Sequence, residues 1–368
     1  MRNLFFVSNR PDLDEEQIGA TKCKIEGHVA IPFIGTWVRI RTDKKVCWVR
    51  PQVIAATDGH IIPFENFFPL PFVLDKVFVR QHTSAFIRTH TTMLKQPRFK
   101  EFNCAQGIRG DQHETLKRFV TQHSVSYLKP AGATGHGRFV TRLCTTNQHH
   151  ISIESSDEQV KQGQLIPKEK LKIWLNSYVQ AMRHAKRTPF LILEQGIKTC
   201  TYANKKVDVR FIVQWDVPSQ RYTCTSDYAK VGNEISATFS NGGKALNTKE
   251  LLKFFVKRYK IESNLSKIRK TLQKEAELLV RYIFNEAYNQ KDQKTYRKPL
   301  LASIDVAFSK DEKTKTLVPW LIELNCGPVQ FLGLKECDLE AYNRALAKHT
   351  ENLTHAVNEY KNNTGKHF

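Results

Sequence analysis

The chain has 368 residues, with 57 Lys and Arg against 36 Asp and Glu, a formal net charge of +21 and 40% hydrophobic side chains. That composition excludes a disordered chain and leaves room for two or three subdomains with real cores, and the basic excess points to polyanionic company: nucleic acid, an anionic surface or polymer, or phosphorylated small molecules. The eight cysteines contain no C-x-x-C pair, no apolar run approaches the roughly 18 residues of a membrane span, and the N-terminus lacks a signal-peptide pattern, so the expectation is a reduced, cytoplasmic protein with neither a disulfide framework nor a zinc site.

Residues 1–75 are predicted to be β-rich. H-V-A-I-P-F (28–33), T-W-V-R-I-R (36–41) and V-C-W-V-R (46–50) cluster β-formers between turn residues, with Trp37, Ile40, Val46 and Trp48 as a small core and no visible chemistry. Residues 76–124 read as a connecting, partly helical region. Val77, Val79, Phe86 and Ile87 suit either a strand or a buried helix. Asp111 with Glu114 suits the start of a short helix carrying Leu116, Phe119 and Val120. His82, His90 and His113 are not at metal-ligand spacing.

V-S-Y-L-K-P (125–130) predicts a strand, A-G-A-T-G-H-G-R (131–138) a glycine-rich loop, and F-V-T-R-L (139–143) the next strand. Gly132, Gly135 and Gly137 permit backbone shapes that turn amide N–H groups toward phosphates. Lys129 at the mouth adds a point charge for the same phosphates. A plain glycine hairpin is the alternative. The loop lacks the G-K-[ST] of a Walker sequence.

A helix over 167–187 has Leu171, Trp174, Tyr178, Met182 and Ala185 on one face, a core stripe. The strand P-F-L-I-L-E-Q-G-I (189–197) ends in polar groups, where Glu194 or Gln195 could meet an adenine ring. V-D-V-R-F-I-V-Q-W (207–215) puts Asp208 and Arg210 on one face of an apolar strand. A buried Arg calls for an anion, either a phosphate or carboxylate ligand or, structurally, the neighbouring Asp. A return strand (222–231), a loop with Asn241, Gly242 and Gly243, a helix over 248–259 capped by Asn247 or Thr248, and a long helix over 264–288 follow. The long helix carries Leu265, Ile268, Leu272, Ala276, Leu279 and Ile283 on one stripe.

L-L-A-S-I-D-V-A-F (300–308) is a strand with one acid, Asp305, and the polar run 309–316 turns it back into L-V-P-W-L-I-E-L-N-C-G-P (317–328). Side chains two apart on a strand share a face, so Glu323 and Asn325 project together. With strand ends near Lys310 and Val318, an antiparallel register places Asp305 opposite Glu323. Three oxygen-bearing side chains on one face suit a hard cation such as Mg²⁺; a buried Glu bonded to backbone amides is the alternative. A C-terminal helix over 336–360 carries Leu339, Tyr342, Leu346, Leu353 and Val357.

L-K-P-A-G-A-T-G-H-G, L-E-Q-G-I, V-D-V-R-F-I-V-Q, S-N-G-G, I-D-V-A-F and I-E-L-N-C-G-P, in that order, resemble the ATP-grasp superfamily, above all its YheC/YheD-like (endospore coat-associated) branch. The tubulin–tyrosine ligase and ribosomal glutamate ligase branches are similar more distantly. The resemblance covers roughly residues 111–335 and implies an α+β ATP-grasp fold: two α+β subdomains, 125–198 and 199–368, holding ATP between them, after the N-terminal β-rich region and the 76–124 connection. It implies that Lys129 touches the α- or β-phosphate, that the loop with Gly132, Gly135 and Gly137 closes over the phosphates, and that Glu194, Gln195 and Ile197 line the adenine slot. Asp208 joins this nucleotide-contacting set, Asp305, Glu323 and Asn325 hold Mg²⁺, Arg210 steadies the transferred phosphate, and Asn241 sits near the acceptor.

The implied function is an ATP- and Mg²⁺-dependent ligase that joins a carboxylate to an amine or similar nucleophile through an acyl-phosphate. Its substrates would be small molecules or peptides, and the basic balance points to anionic ones. One alternative is an ATP-binding, non-catalytic structural protein of the spore-coat type. Another is a nucleic-acid-binding protein, which has the charge in its favour but neither interleaved aromatics nor a recognition motif. Two departures stand out: Lys230 occupies a place where related ligases often carry an arginine, and the second phosphate lysine is not identifiable, Lys100 and Lys117 being the nearest positions.

Overall fold

The computed structural model describes residues 5–8, 23–25, 28–30, 38–41, 46–49, 53–55, 61–63, 86, 104–108, 113–130, 139–155, 164–184, 191–216, 218–232, 237, 243–262, 264–289, 301–326 and 331–364. The β-rich start consists of β1 (Phe5–Ser8), β2 (Cys23–Ile25), β3 (His28–Ala30), β4 (Val38–Arg41), β5 (Val46–Val49), β6 (Val53–Ala55) and β7 (Ile61–Pro63). They form two sheets, ordered β1-β4-β5 and β2-β3-β6-β7. Of the residues expected to fill their core, Trp37 lies outside the described residues, and for Ile40, Val46 and Trp48 only the strand backbone is described. Phe86, ambiguous in sequence, is helical and buried against the core of the largest unit.

A six-stranded sheet follows: β8 (Cys104–Ile108), β9 (Val125–Pro130), β10 (Thr141–Thr145), β11 (His150–Ser155), β12 (Gln164–Pro167) and β13 (Leu191–Gln195), in spatial order β12-β11-β10-β9-β13-β8. Helices α1 (His113–Gln122) and α2 (Leu171–His184) pack on one face. Alternate strand residues Leu128, Leu143, Ile151, Ile153, Leu191 and Leu193 meet Leu116, Phe119, Trp174, Tyr178 and Met182 there. Leu171, Trp174, Tyr178 and Met182 of the α2 stripe are therefore core, as their spacing predicts, and Ala185 lies outside the described residues. β8 and α1 precede residue 125 yet belong to this sheet and this core. Pro167 ends β12 and opens a single 3-10 turn before α2 instead of starting the helix itself.

The five-stranded sheet holds β14 (Val207–Asp216), β15 (Arg221–Val231), β16 (Lys244–Leu246), β17 (Leu301–Lys310) and β18 (Leu317–Cys326), ordered β16-β15-β14-β17-β18. Its two faces differ. On one, Val209, Phe211, Val213, Ile304, Val306, Leu321 and Leu324 pack against α3 (Thr248–Tyr259) and α4 (Leu265–Asn289). Asn247 caps α3, its side chain accepting the Lys249 amide at 2.9 Å. The other face is half apolar and half polar. Its apolar half, Ile212, Tyr228 and Leu301, is covered by Phe331, by α5 (Leu332–Cys337) and by α6 (Leu339–Thr364).

One helix was expected over 336–360, and two are found. Asp338 breaks them with extended backbone, and its Oδ1 accepts the Ala341 amide at 2.9 Å to start α6 afresh. The break also corrects the stripe: Leu339 at the new N-terminus is exposed, while Tyr342 and Leu346 pack inward.

Candidate active site

The polar half of the five-stranded sheet is built by three neighbouring strands. Asp208 and Arg210 project from β14, Lys230 and Tyr228 from β15, and Asp305 from β17, with Asp208 paired to Lys230 and Arg210 paired to both Tyr228 and Asp305. On β18, Glu323 is the partner of Asp305 and Asn325 the partner of Ser303. The pairing of Asp305 with Glu323 read from the sequence is found, but from a different strand end: Lys310 pairs with Leu317 and not with Val318. A β-bulge falls between Asp305 and Val306, with Ile322 as the extra residue of β18.

Asp305 is the hub. It is 1% exposed. Arg210 donates to it through a fork, Nε to Oδ1 at 2.8 Å and Nη2 to Oδ2 at 2.7 Å. Lys230 Nζ donates to Oδ2 at 2.7 Å, and Asn325 Nδ2 approaches the same oxygen at 3.4 Å. Burial by itself would raise the Asp305 carboxyl, but the charges and hydrogen bonds of Arg210 and Lys230 overcome it and hold the group well below the usual carboxylate range. Burial likewise opposes the charge of Arg210, and Asp305 more than offsets it. The Tyr228 phenol is raised by burial and hydrogen-bonds Arg210. Arg210 therefore pairs across strands with Asp305 and not with Asp208, the partner its own strand offers. Asp208 is half-buried, and burial, opposed by Lys230 and reinforced by Asp305, pushes its carboxyl up to about 6.

The six-stranded sheet presents a second polar group on the face turned away from α1 and α2. Lys129 on β9 meets Glu194 on β13 at 2.5 Å, both buried. Tyr127, two residues before Lys129, pairs in register with both Glu194 and Arg142. The two sheets touch here: Lys206, just before β14, lies over the Tyr127 ring at 5.8 Å. Burial lowers the Lys206 ammonium, and Asp208 acts against that shift. Lys206 thus links Tyr127 of the smaller sheet to Asp208 of the larger one.

The segment after Glu194 continues along β9 in close contact with it. The Gly196 amide donates to Val125 O at 2.7 Å, and a Cβ on Gly196 would lie 2.4 Å from Val125 Cγ1, so only glycine fits against β9. Gln195 and Ile197 on either side are half-buried. Gly132, Gly135, Gly137 and Asn241 lie outside the described residues, as does Lys100, and Lys117 is exposed on α1.

Lys230 stood out in the sequence only as a departure, and Lys206, Tyr228 and Arg142 did not stand out at all. Lys206 and Asp208 do share the i, i+2 spacing of Asp208 and Arg210, so the strand pattern carried one further residue outward. Among the described residues no three His, Cys, Asp or Glu side chains gather as a ready-made metal cage. The donors present are two carboxylates and an amide. An ionised carboxylate offers about four acceptor positions, and Arg210 and Lys230 leave one on Oδ1 of Asp305. Asp305, Glu323 and Asn325 therefore fit Mg²⁺ that takes most of its shell from phosphate and water better than a cation held by protein alone.

The model of the YheC/D like ATP-grasp family matches residues 87–352. No curated protein matches the chain. Among solved structures it is similar to D-cycloserine synthetase DcsG, with 9% identity and a TM-score of 0.38 over 77% of this chain and 71% of that one. It is also similar to the C-terminal domain of K. lactis Pby1, an ATP-grasp enzyme, with 12% identity and a TM-score of 0.34 over 77% and 73%. A RimK domain protein ATP-grasp from Sphaerobacter thermophilus gives 8% identity and a TM-score of 0.32 over 76% and 67%.

Proposed function

The chain belongs to the YheC/D-like ATP-grasp family, and from that premise we propose that it is an ATP- and Mg²⁺-dependent ligase that joins a carboxylate to an amine through an acyl-phosphate. Family membership carries the coarser part, an ATP-dependent, ligase-type function. The finer part rests on one observation: Asp305, Glu323 and Asn325 share a face with Arg210 and Lys230, beside the apolar half that α5 and α6 cover.

In this reading Lys129 and Lys206 hold the nucleotide's phosphates, and Glu194, Gln195 and Ile197 border its base. Gly132, Gly135 and Gly137 offer amides above the phosphates, Asp208 tunes the lysine charges beneath them, and Asn241 lies toward the acceptor. Asp305, Glu323 and Asn325 would hold Mg²⁺, which when bound neutralises phosphate charge and polarises the transferred group. Arg210, fixed by its fork to Asp305, presents its remaining N–H groups to the phosphoryl oxygens as charge develops on them. The substrate carboxylate oxygen attacks the γ-phosphorus and ADP leaves. The amine then attacks the acyl carbon and inorganic phosphate leaves. The protein's part is to position and to stabilise charge, not to form a covalent bond.

The test is phosphate release from Mg²⁺-ATP, screened over candidate carboxylates and amines. Turnover that falls on the order of 100-fold or more in Glu323→Gln, with the melting temperature kept, supports the ligase. ATP binding without phosphate release under any substrate pair leaves an ATP-binding structural protein.

A further inference from the structure

The proposed chemistry uses one face of the five-stranded sheet; the helices on the other face carry a charge pattern that it does not use. On α4 the exposed described side chains are Ser266 and four bases, Lys267, Lys270, Lys274 and Arg281. Their spacing places all four on the side pointing directly away from the buried stripe of Ile268, Leu272, Ala276, Leu279 and Ile283. The row runs about 21 Å along the helix. On α3, Lys249, Lys253 and Lys257 recur every fourth residue, about 6 Å apart along the axis, and Lys260 follows past the C-terminus. Arg258 is exposed too, and Glu250 is the one exposed acid of either helix among the described side chains.

An ordinary solvated helix mixes both signs and gains from i, i+4 pairs of opposite charge; like charges at that spacing cost stability. The chain's other long helix obeys that rule, Glu340 pairing with Arg344 and Lys348 with Glu351. Two adjacent helices that keep nearly one sign forgo the gain, and they create a field that draws an anion.

We propose that the outer face of α3 and α4 is a docking surface for the phosphodiester backbone of a nucleic acid strand, bound without sequence preference. Three features select this occupant. The bases are mostly lysines, point charges that suit phosphate without demanding planar bidentate geometry. Their repeat along each helix suits a polymer with regularly spaced single charges. The aromatic side chains of the two helices are turned inward, Phe255 and Phe284 into the core and Tyr259 onto Thr201, so nothing described stacks on bases or reads their edges. A bilayer is disfavoured because the apolar faces of both helices are spent on the sheet, which leaves no side chains to insert. The surface lies across the sheet from the ATP-binding face, so it would tether the protein and not feed its active site. It does not depend on the ligase reading.

The experiment is fluorescence anisotropy of the full chain with labelled oligo-dT and oligo-U over 50–200 mM salt. Binding that weakens with a log–log salt slope of about −3 or steeper, from four or more phosphates neutralised, is expected. The charge-reversed variant K253E/K257E/K270E/K274E should bind about 100-fold more weakly with a flattened slope, its melting temperature staying close to that of the unmodified chain. R118E/K170E/K172E/R183E, the same charge change on the exposed sides of α1, α2 and the 3-10 turn before α2, should keep most of the binding. Equal losses in both variants, absence of binding at 50 mM salt, or tighter binding of polyglutamate or of phosphatidylserine vesicles than of either oligonucleotide would overturn the proposal.

Discussion

The Tyr228 ring occupies the space that a side chain at Gly333 would need: a Cβ there would lie 2.2 Å from Cε2 of the ring. Tyr228 is fully buried beneath α5, and its hydroxyl reaches Arg210. The first turn of α5 therefore presses on the residue that helps to set the arginine of the proposed site. Gly333→Ala should destabilise the fold by about 1–3 kcal/mol through overpacking, read by denaturant unfolding. Tyr228→Phe keeps the packing and removes only the hydroxyl. It should leave the melting temperature within a few degrees and lower kcat for phosphate release more than it raises KM for ATP. An unchanged kcat would separate Tyr228 from the function of Arg210.

Asp305 neutralises two buried or half-buried cations at once. Asp305→Asn would strand both Arg210 and Lys230 and should cost about 3–5 kcal/mol, as when one partner of a buried ion pair is removed. Replacing Arg210 and Lys230 by apolar residues in the same chain should recover part of that loss. Urea unfolding of the unmodified chain and the two variants checks the coupling.

The buried pair Lys129–Glu194 makes a similar prediction on the smaller sheet. Lys129→Met and Glu194→Gln should each destabilise the fold, and the double variant should cost less than the sum of the two, because neither charge is then left alone. Additive costs would mean that the two groups are solvated independently. In the ligase reading Lys129→Met also weakens ATP binding, measured by calorimetry.

Acid should act on stability in two separable windows. His349 is fully buried, stacks edge-on to Phe331 at 5.8 Å, and is pushed down to about 4 by burial. The unfolded chain takes up this proton near pH 6.5 and the folded one only near 4, so stability present above about pH 6.5 is lost as the pH falls toward 4. His349 alone would lose on the order of 3 kcal/mol, but Asp208, its carboxyl pushed up to about 6, takes up its proton first in the folded chain and offsets that loss over the same window, so the His349 limb is read as the difference between the unmodified chain and His349→Phe. His349→Phe, which also removes two ring nitrogens without partners, should erase that limb. Asp305 is depressed below the ordinary carboxylate range, so its contribution persists through this window and is lost only below about pH 4. Unfolding free energies across pH 3–8 resolve the two.

Much of this architecture was legible because periodicity is a local property. A two-residue repeat put Glu323 with Asn325 and Asp208 with Arg210, but with Lys310 paired to Leu317 it is the bulge at Ile322, which no local count reveals, that brings Glu323 opposite Asp305. The core stripes of α2 and α4 followed from the same kind of count. Periodicity names the face of a strand but not the strand beside it. Side chains two apart on one strand stand about 7 Å apart, whereas directly opposed residues on paired strands are about 5 Å apart, so neighbours across the sheet win the contacts. Only the order β15-β14-β17 decided that Arg210 would bond Asp305, that Lys230 would join them, and that Tyr228 would lie beneath. Only the meeting of the two sheets brought Lys206 onto Tyr127.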